Sequence, residues 1–365
     1  MNTSPASLPL EDCSLTYDTD VGAWVVKDLE LARMILRRHG IFSTDAYSFL
    51  NPDISNIRRF VMASDGDHRR LRRVTAKAFA PDRVELMVSR ILRPLADELV
   101  GSLPVDGAVD LQERYVAPYT RAGLYGIIGL SPAAGDELVA AYRVADKYFR
   151  EVPGSPLGRA AVDVLYEIAA LACNDVPAYP DASLLGMALA ERWLDGILDT
   201  ADLVCLFMSF IEAAATKAHR DLTATTLRRI AALSADQRAA LADGDEYERA
   251  SEEALRLQPE GVLLRTATRD LEVAGSSICA GDRILLIVDA IATDDSVFRD
   301  ALTYDPWRPE LGRAIGFGVG VHRCVGEQIA KRIAMTACEA LLVNADMSLV
   351  EESERRFVVT LRPRP

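Results

Sequence analysis

The chain has 365 residues, 50% of them hydrophobic, enough to bury one large core or two ordinary ones. A formal net charge of −13 argues against nucleic-acid and anionic-membrane partners. The six cysteines (Cys13, Cys173, Cys205, Cys279, Cys324 and Cys338) form no CxxC pair, which sets aside a zinc site or a disulfide framework and points to a reducing compartment.

The opening "MNTSPASLPLEDCSL" has no basic start and no apolar core, so it does not read as a signal peptide. The longest apolar runs, such as "ILLIV", are too short to span a bilayer, and a cytoplasmic protein is the expectation. "GAWVV" reads as a strand, and "LELARMILRRHG" as a helix closed by Gly40. From about residue 82 to 258 the pattern is mostly helical, with Pro and Gly as punctuation. From 261 to 290 short β-rich segments surround "AGSS" and "AGD", which read as turns. A last helix, "EQIAKRIAMTACEALLV", precedes a tail, "SLVEESERRFVVTLRP", that reads as a hairpin. The chain reads as mostly α with a small β region, one domain over residues 1–365 with an irregular stretch over about the first 20.

One stretch carries chemistry: "AIGFGVGVHRCVGEQIAKR", residues 314–332. Cys324 sits one turn before a helix, where free N–H groups and the dipole favour thiolate over thiol. Gly318 and Gly320 let the loop approach something flat and close, and Gly326 removes a side chain where the helix begins. A thiolate held this way suits a metal with a single protein ligand, haem iron being the obvious one.

"FGVGVHRCVG" resembles the haem-ligand loop of the cytochrome P450 family at every defined position. "EALR" (Glu253 to Arg256) is similar to the family's ExxR element, and "YDPWR" supplies Arg308 as the third member of its Glu-Arg-Arg cluster. "DHRRLRRVTAKAFAP" resembles the helix that crosses the haem edge, and "GAWVVKDLELARMILRRHGIFSTD" the first sheet and its helix. The resemblance runs from about residue 20 to the C-terminus. It implies the family's triangular-prism fold, with haem b between the central and C-terminal helices and Cys324 on the iron. It also implies Phe317, Gly318 and Gly326 around the cofactor, and His68, Arg72, Arg265 and His322 on the propionates. Glu253, Arg256 and Arg308 are then a structural cluster. The physics agrees: two buried carboxylates need cations or ring N–H donors.

The family's central helix carries A-G-x-[D/E]-T, whose acid and alcohol deliver protons during dioxygen cleavage. The corresponding stretch here is "DLVCLFMSFIEAAATKAHRDL". Counted from its start, the small pair falls on Ala213 and Ala214 and the acid-alcohol pair on Thr216 and Lys217. Counted back from Glu253, the latter shifts to Lys217 and Ala218. A third register uses Glu212 as the acid but puts Phe210 where a small residue is needed and Ala213 in the alcohol position. No register gives an acid followed by Ser or Thr. Two outcomes follow. Water or substrate hydroxyls replace the pair in a monooxygenase, or the enzyme runs other chemistry: peroxide use, dehydration, rearrangement or N–O cleavage. A buried Lys217 would have its pKa lowered by desolvation, and a solvated one would not. A non-catalytic partner of another enzyme is a third reading, against which the intact Cys324 loop stands.

The resemblance also implies an electron donor of the ferredoxin type, docking near Cys324 on Arg69, Arg70, Arg73, Lys77, Arg323, Lys331 and Arg332. The substrate is expected to be a mid-sized, moderately polar natural-product intermediate, free or tethered to an acidic carrier protein. The segment 150–200 is short for the family, which predicts an open pocket.

Overall fold

The computed structural model describes residues 7–8, 15–47, 65–104, 107–151, 156–173, 177–191, 198–216, 218–243, 246–258, 261–352 and 356–363. Its helices are α1 (Leu29–Arg37), α2 (Asp65–Ala78), α3 (Pro81–Met87), α4 (Arg93–Gly101), α5 (Ala117–Ile128), α6 (Pro132–Glu151), α7 (Pro156–Cys173), α8 (Leu184–Ala190), α9 (Thr200–Thr216), α10 (Ala218–Ala232), α11 (Ala235–Asp243), α12 (Tyr247–Leu257), α13 (Val288–Ala292) and α14 (Glu327–Asn344). The strands are short: β1 (Ser7–Leu8), β2 (Leu15–Asp18), β3 (Ala23–Val26), β4 (Phe42–Ser43), β5 (Ala108–Asp110), β6 (Val262–Ala267), β7 (Leu271–Val273), β8 (Ser276–Ile278), β9 (Arg283–Ile287), β10 (Ala345–Glu352) and β11 (Phe357–Pro363). They form sheets of order β2-β3-β9-β6-β4, β1-β7-β8 and β10-β11-β5. The architecture is mostly α with a small β region. The C-terminal hairpin appears as β10 and β11, antiparallel with Ala345 opposite Pro363.

Two apolar clusters hold these elements. The larger is helical, with α14 inside it: Ala334, Ala337, Cys338, Ala340 and Leu341 are fully buried. Small side chains on α14 let neighbouring helices come close, and two tyrosines seal the contact. The hydroxyls of Tyr115 and Tyr119 donate to the carbonyls of Ala337 and Ile333, at 2.9 and 3.1 Å. The second cluster joins α1 to the five-stranded sheet through Leu29, Ile35, Phe42, Ile284 and Phe298.

Local chemistry explains the helix and turn ends. Asp28 caps α1, its carboxylate accepting from the Leu31 amide at 2.7 Å, a contact of about 1 kcal/mol. The helix stops at Arg37, before the predicted Gly40. Arg38 leaves the helical region and its amide turns back to the Ile35 carbonyl, so no glycine is needed. The "AGSS" turn is present, with Ala274 and Gly275 both at positive φ between β7 and β8. The β-rich run ends at Ile287, because Val288 to Ala292 form α13 rather than continuing the strand. The sequence reads the central segment as helical, and it is helical on both sides of Lys217, over Thr200–Thr216 (α9) and Ala218–Ala232 (α10). Lys217 lies outside the described residues. Among the described residues no helix is long and apolar enough to cross a membrane.

Candidate active site

The loop before α14 is closed by its own backbone. The Gly318 amide donates to the Ile315 carbonyl at 2.7 Å, and the Cys324 amide to the Phe317 carbonyl at 2.8 Å. Gly318 has φ +72°, which an L side chain rarely adopts, so the turn requires glycine. Gly320 has φ +82° and a second constraint: a Cβ there would lie 2.6 Å from the Leu36 carbonyl oxygen. Its close approach is therefore to α1, not to a flat ligand as the sequence suggests. Gly326 has an ordinary φ, and an added methyl would meet the Cys324 sulfur at 3.9 Å, so the backbone does not demand glycine there.

Cys324 ends the loop. Its side chain is exposed at the surface, yet the sulfur sits among dense protein. The sequence predicts a favoured thiolate, and the structure corrects this. Burial pushes the thiol up, outweighing the Gly326 amide hydrogen bond that stabilises the anion, and Glu327 pushes the same way as burial. An electrophilic metal is what would deprotonate this sulfur.

Four donors converge beside the loop. His68 and Arg72 lie one turn apart on α2, Arg265 comes from β6, and His322 from the loop. The His68 and His322 rings are 4.3 Å apart, centroid to centroid. Arg72 donates to the Arg323 carbonyl at 2.6 Å, and Arg265 to the Leu264 carbonyl at 2.6 Å. Burial lowers the pKa of all four groups. His322 is pulled down to about 3, by burial first and then by His68, Arg265, His39 and Arg72. His39, which the sequence reading passed over, faces the same cluster; the Gly320 contact with α1 is what brings it there. Arg265 is 3% exposed, and its Nε has no hydrogen-bond partner. A buried cationic edge with an unmatched donor fits a ligand bearing carboxylates, as haem does.

Behind the loop, Glu253 holds two arginines. Arg256 donates Nε and Nη2 to its two oxygens at 2.7 and 2.8 Å, and Arg308 donates Nε at 2.8 Å. Further bonds from Arg308 to the carbonyls of Arg299 and Thr303 fix the chain leading to the loop. All three residues are at most 3% exposed. Ala213, Ala214 and Thr216 lie in the last turn of α9, with their side chains outside the described set, as is Lys217 altogether.

The predicted basic patch is largely neutralised. Arg70 pairs with Asp202, Lys77 with Glu191, Arg323 with Glu327, and Arg332 with Glu85. Lys331 is buried among Glu248, Glu252 and Glu327. Arg69 and Arg73 stay exposed on α2. The one-dimensional cluster of cations overlooked the acids that tertiary packing brings to it.

A family model described as Cytochrome P450 matches residues 248–360, the segment holding Glu253, Arg308 and Cys324. Cytochrome P450 105A3 of Streptomyces carbophilus is 26% identical over 324 residues, 85% of this chain and 76% of that one. The 2-hydroxy-5-methyl-1-naphthoate 7-hydroxylase of Streptomyces carzinostaticus is 26% identical over 342 residues, 87% and 81% of the two chains. The solved structure of epothilone D-bound cytochrome P450epoK matches with a TM-score of 0.77 at 19% identity, over 96% of this chain and 93% of that one. Fold, loop and relatives agree: over most of its length the chain is similar to cytochrome P450s, a family of enzymes that carry haem.

Proposed function

We propose that the chain is a haem b monooxygenase that inserts one oxygen atom from dioxygen into a mid-sized, moderately polar natural-product intermediate. The observation that carries the reading is the convergence of His68, Arg72, Arg265 and His322 beside the Cys324 loop, with the Arg265 Nε unmatched. Cys324 would hold the haem iron through its sulfur. Arg72 and Arg265 give charge-assisted bonds to the propionates, and the two imidazoles, neutral in this setting, each offer one ring N–H. Phe317, Gly318 and Gly326 would lie beside the cofactor near Cys324. Glu253, Arg256 and Arg308 do no chemistry; they hold the loop. A thiolate-ligated haem iron supplies dioxygen activation when bound.

The central helix offers small residues, Ala213 and Ala214, and no acid-alcohol pair, so water or a substrate hydroxyl carries the protons. Thr216 and Lys217 occupy the family's proton-delivery positions, with Lys217 as a further acid or a carboxylate anchor. Hydroxylation of a substituted naphthoate by one relative agrees in size and polarity with the substrate class. A ferredoxin-type donor docks near Cys324, with Arg69 and Arg73 as the exposed cations that attract it. The substrate is free or tethered to a carrier protein, and the protein works in the cytoplasm, as the unpaired cysteine pattern suggests.

Turnover with a ferredoxin, its reductase and isotope-labelled dioxygen tests the reaction. One labelled oxygen atom in the product is expected. Product formed with peroxide and without dioxygen uptake, or a product carrying no labelled oxygen, would move the enzyme to the atypical chemistries.

A further inference from the structure

Lys331 looks from the sequence like one more cation on the donor-docking face. In the structure it is 4% exposed. Its ammonium lies 2.9 Å from Glu327 and 3.2 Å from Glu248, contacts Glu252, and sits 5.7 Å from the centre of the Phe317 ring. Glu327 is 5% exposed and also holds Arg323 through both carboxylate oxygens.

The spacing gives this network a direction. Arg323, Glu327 and Lys331 are four residues apart, a ladder along one face that starts immediately before Cys324 and runs into α14. Glu248 and Glu252 are also four apart, on α12. Among the described residues, Lys331 is the cation that pairs with Glu327 and with both α12 acids. With it, two cations face three carboxylates. Without it, Glu327 keeps only Arg323, and Glu248 and Glu252 lose their tie to α14. Glu327, the buried carboxylate of the three, would lose one of the two cations that hold it, and the link from α14 to α12 would open, so the start of α14 would shift or admit water. Cys324 is carried by that start.

We propose that Lys331 is a positioning residue for Cys324: by tying Glu327 to Glu248 and Glu252, it fixes the Arg323–Glu327 bracket on either side of the cysteine and so holds the sulfur in register with the iron. The inference rests on Cys324 as the haem ligand. The same helix, α12, thus braces the loop twice, through Glu253 toward Arg308 and through Glu248 and Glu252 toward Lys331.

The test uses haem-loaded protein, wild type against Lys331→Met and Lys331→Arg. It reads the reduced, carbon-monoxide-bound spectrum, the rate of haem loss to an acceptor apoprotein, and the unfolding midpoint of the haem-free chain. Lys331→Met should convert part of the thiolate signature to the neutral-thiol form and speed haem loss about tenfold, the usual scale when a partner of a metal ligand is removed. Lys331→Arg, which keeps the charge, should retain the signature. Should Lys331→Met not fold, Glu248→Gln combined with Glu252→Gln cuts the same tie and should shift the spectrum the same way. A folded Lys331→Met protein with wild-type spectrum and haem-loss rate, whatever its unfolding midpoint, overturns the inference alone. A wild type without a thiolate signature overturns the ligand reading and this inference with it.

Discussion

The imidazoles of His68 and His322 lie 4.3 Å apart with their planes tilted by 44°, one from α2 and one from the cysteine loop. Two rings at this distance, with Arg72 and Arg265 as neighbours, cannot both be cations without strong repulsion. Their neutrality has a consequence for stability. Both pKa values are lowered on folding from an ordinary 6.5, His322 to about 3. The unfolded chain therefore binds protons that the folded chain refuses, so stability is full above the ordinary value and falls as pH drops below it. Urea unfolding of the haem-free protein should show an unfolding free energy that falls between about pH 7 and pH 4, by up to ~1.4 kcal/mol per pH unit for each imidazole, with the midpoint falling alongside it. His68→Gln should flatten the slope. A midpoint flat over that range contradicts the account.

Arg265 is buried with an unmatched Nε, which the proposed function assigns to a haem propionate. Arg265→Met should leave haem-free stability undiminished, while haem affinity falls about 10–100-fold, the scale of a lost bond to a charged group. Thermal unfolding and haem titration on the same variant check the two halves. Lost stability with unchanged haem affinity would make Arg265 a structural residue.

Glu253 is fully buried between Arg256 and Arg308. Glu253→Gln keeps the shape and removes the charge, leaving two buried arginines with no carboxylate. A loss of about 3–5 kcal/mol is expected, read as a lower urea midpoint or as insoluble protein. A loss below about 1 kcal/mol would mean that the cluster is not what secures the loop.

Gly318 and Gly320 separate two demands that the motif confounds. Each has positive φ, which costs a non-glycine residue about 1–3 kcal/mol. Gly320 adds the Leu36 carbonyl at 2.6 Å, whereas Gly318 meets nothing closer than 3.8 Å. Gly320→Ala should therefore be less stable than Gly318→Ala by a further ~1–3 kcal/mol of overpacking. Equal unfolding midpoints would remove the contact with α1 from the account.

These residues also show what the sequence can carry. The cysteine loop, the ExxR element and the residue pairs one turn apart on α2 are local patterns, so their spacing is readable in one dimension. The sheet that delivers Arg265 and the mostly α fold were legible through the same resemblance. His39, the Leu36 carbonyl against Gly320, and the acids around Lys331 were not. Each depends on which distant segment packs against the loop, and charge counted along the chain hides acids more than 75 positions away, such as Glu252 beside Lys331. The Cys324 pKa failed for a related reason: the helix N-terminus was visible in sequence, and the burial that outweighs it was not.

The central claim is that Cys324 is the haem ligand. The most direct measurement is the absorption spectrum of the reduced, carbon-monoxide-bound protein, wild type against Cys324→Ala. A thiolate signature in wild type that vanishes in the variant is the predicted result. A signature that survives the substitution would place the thiolate elsewhere in the chain and contradict the account.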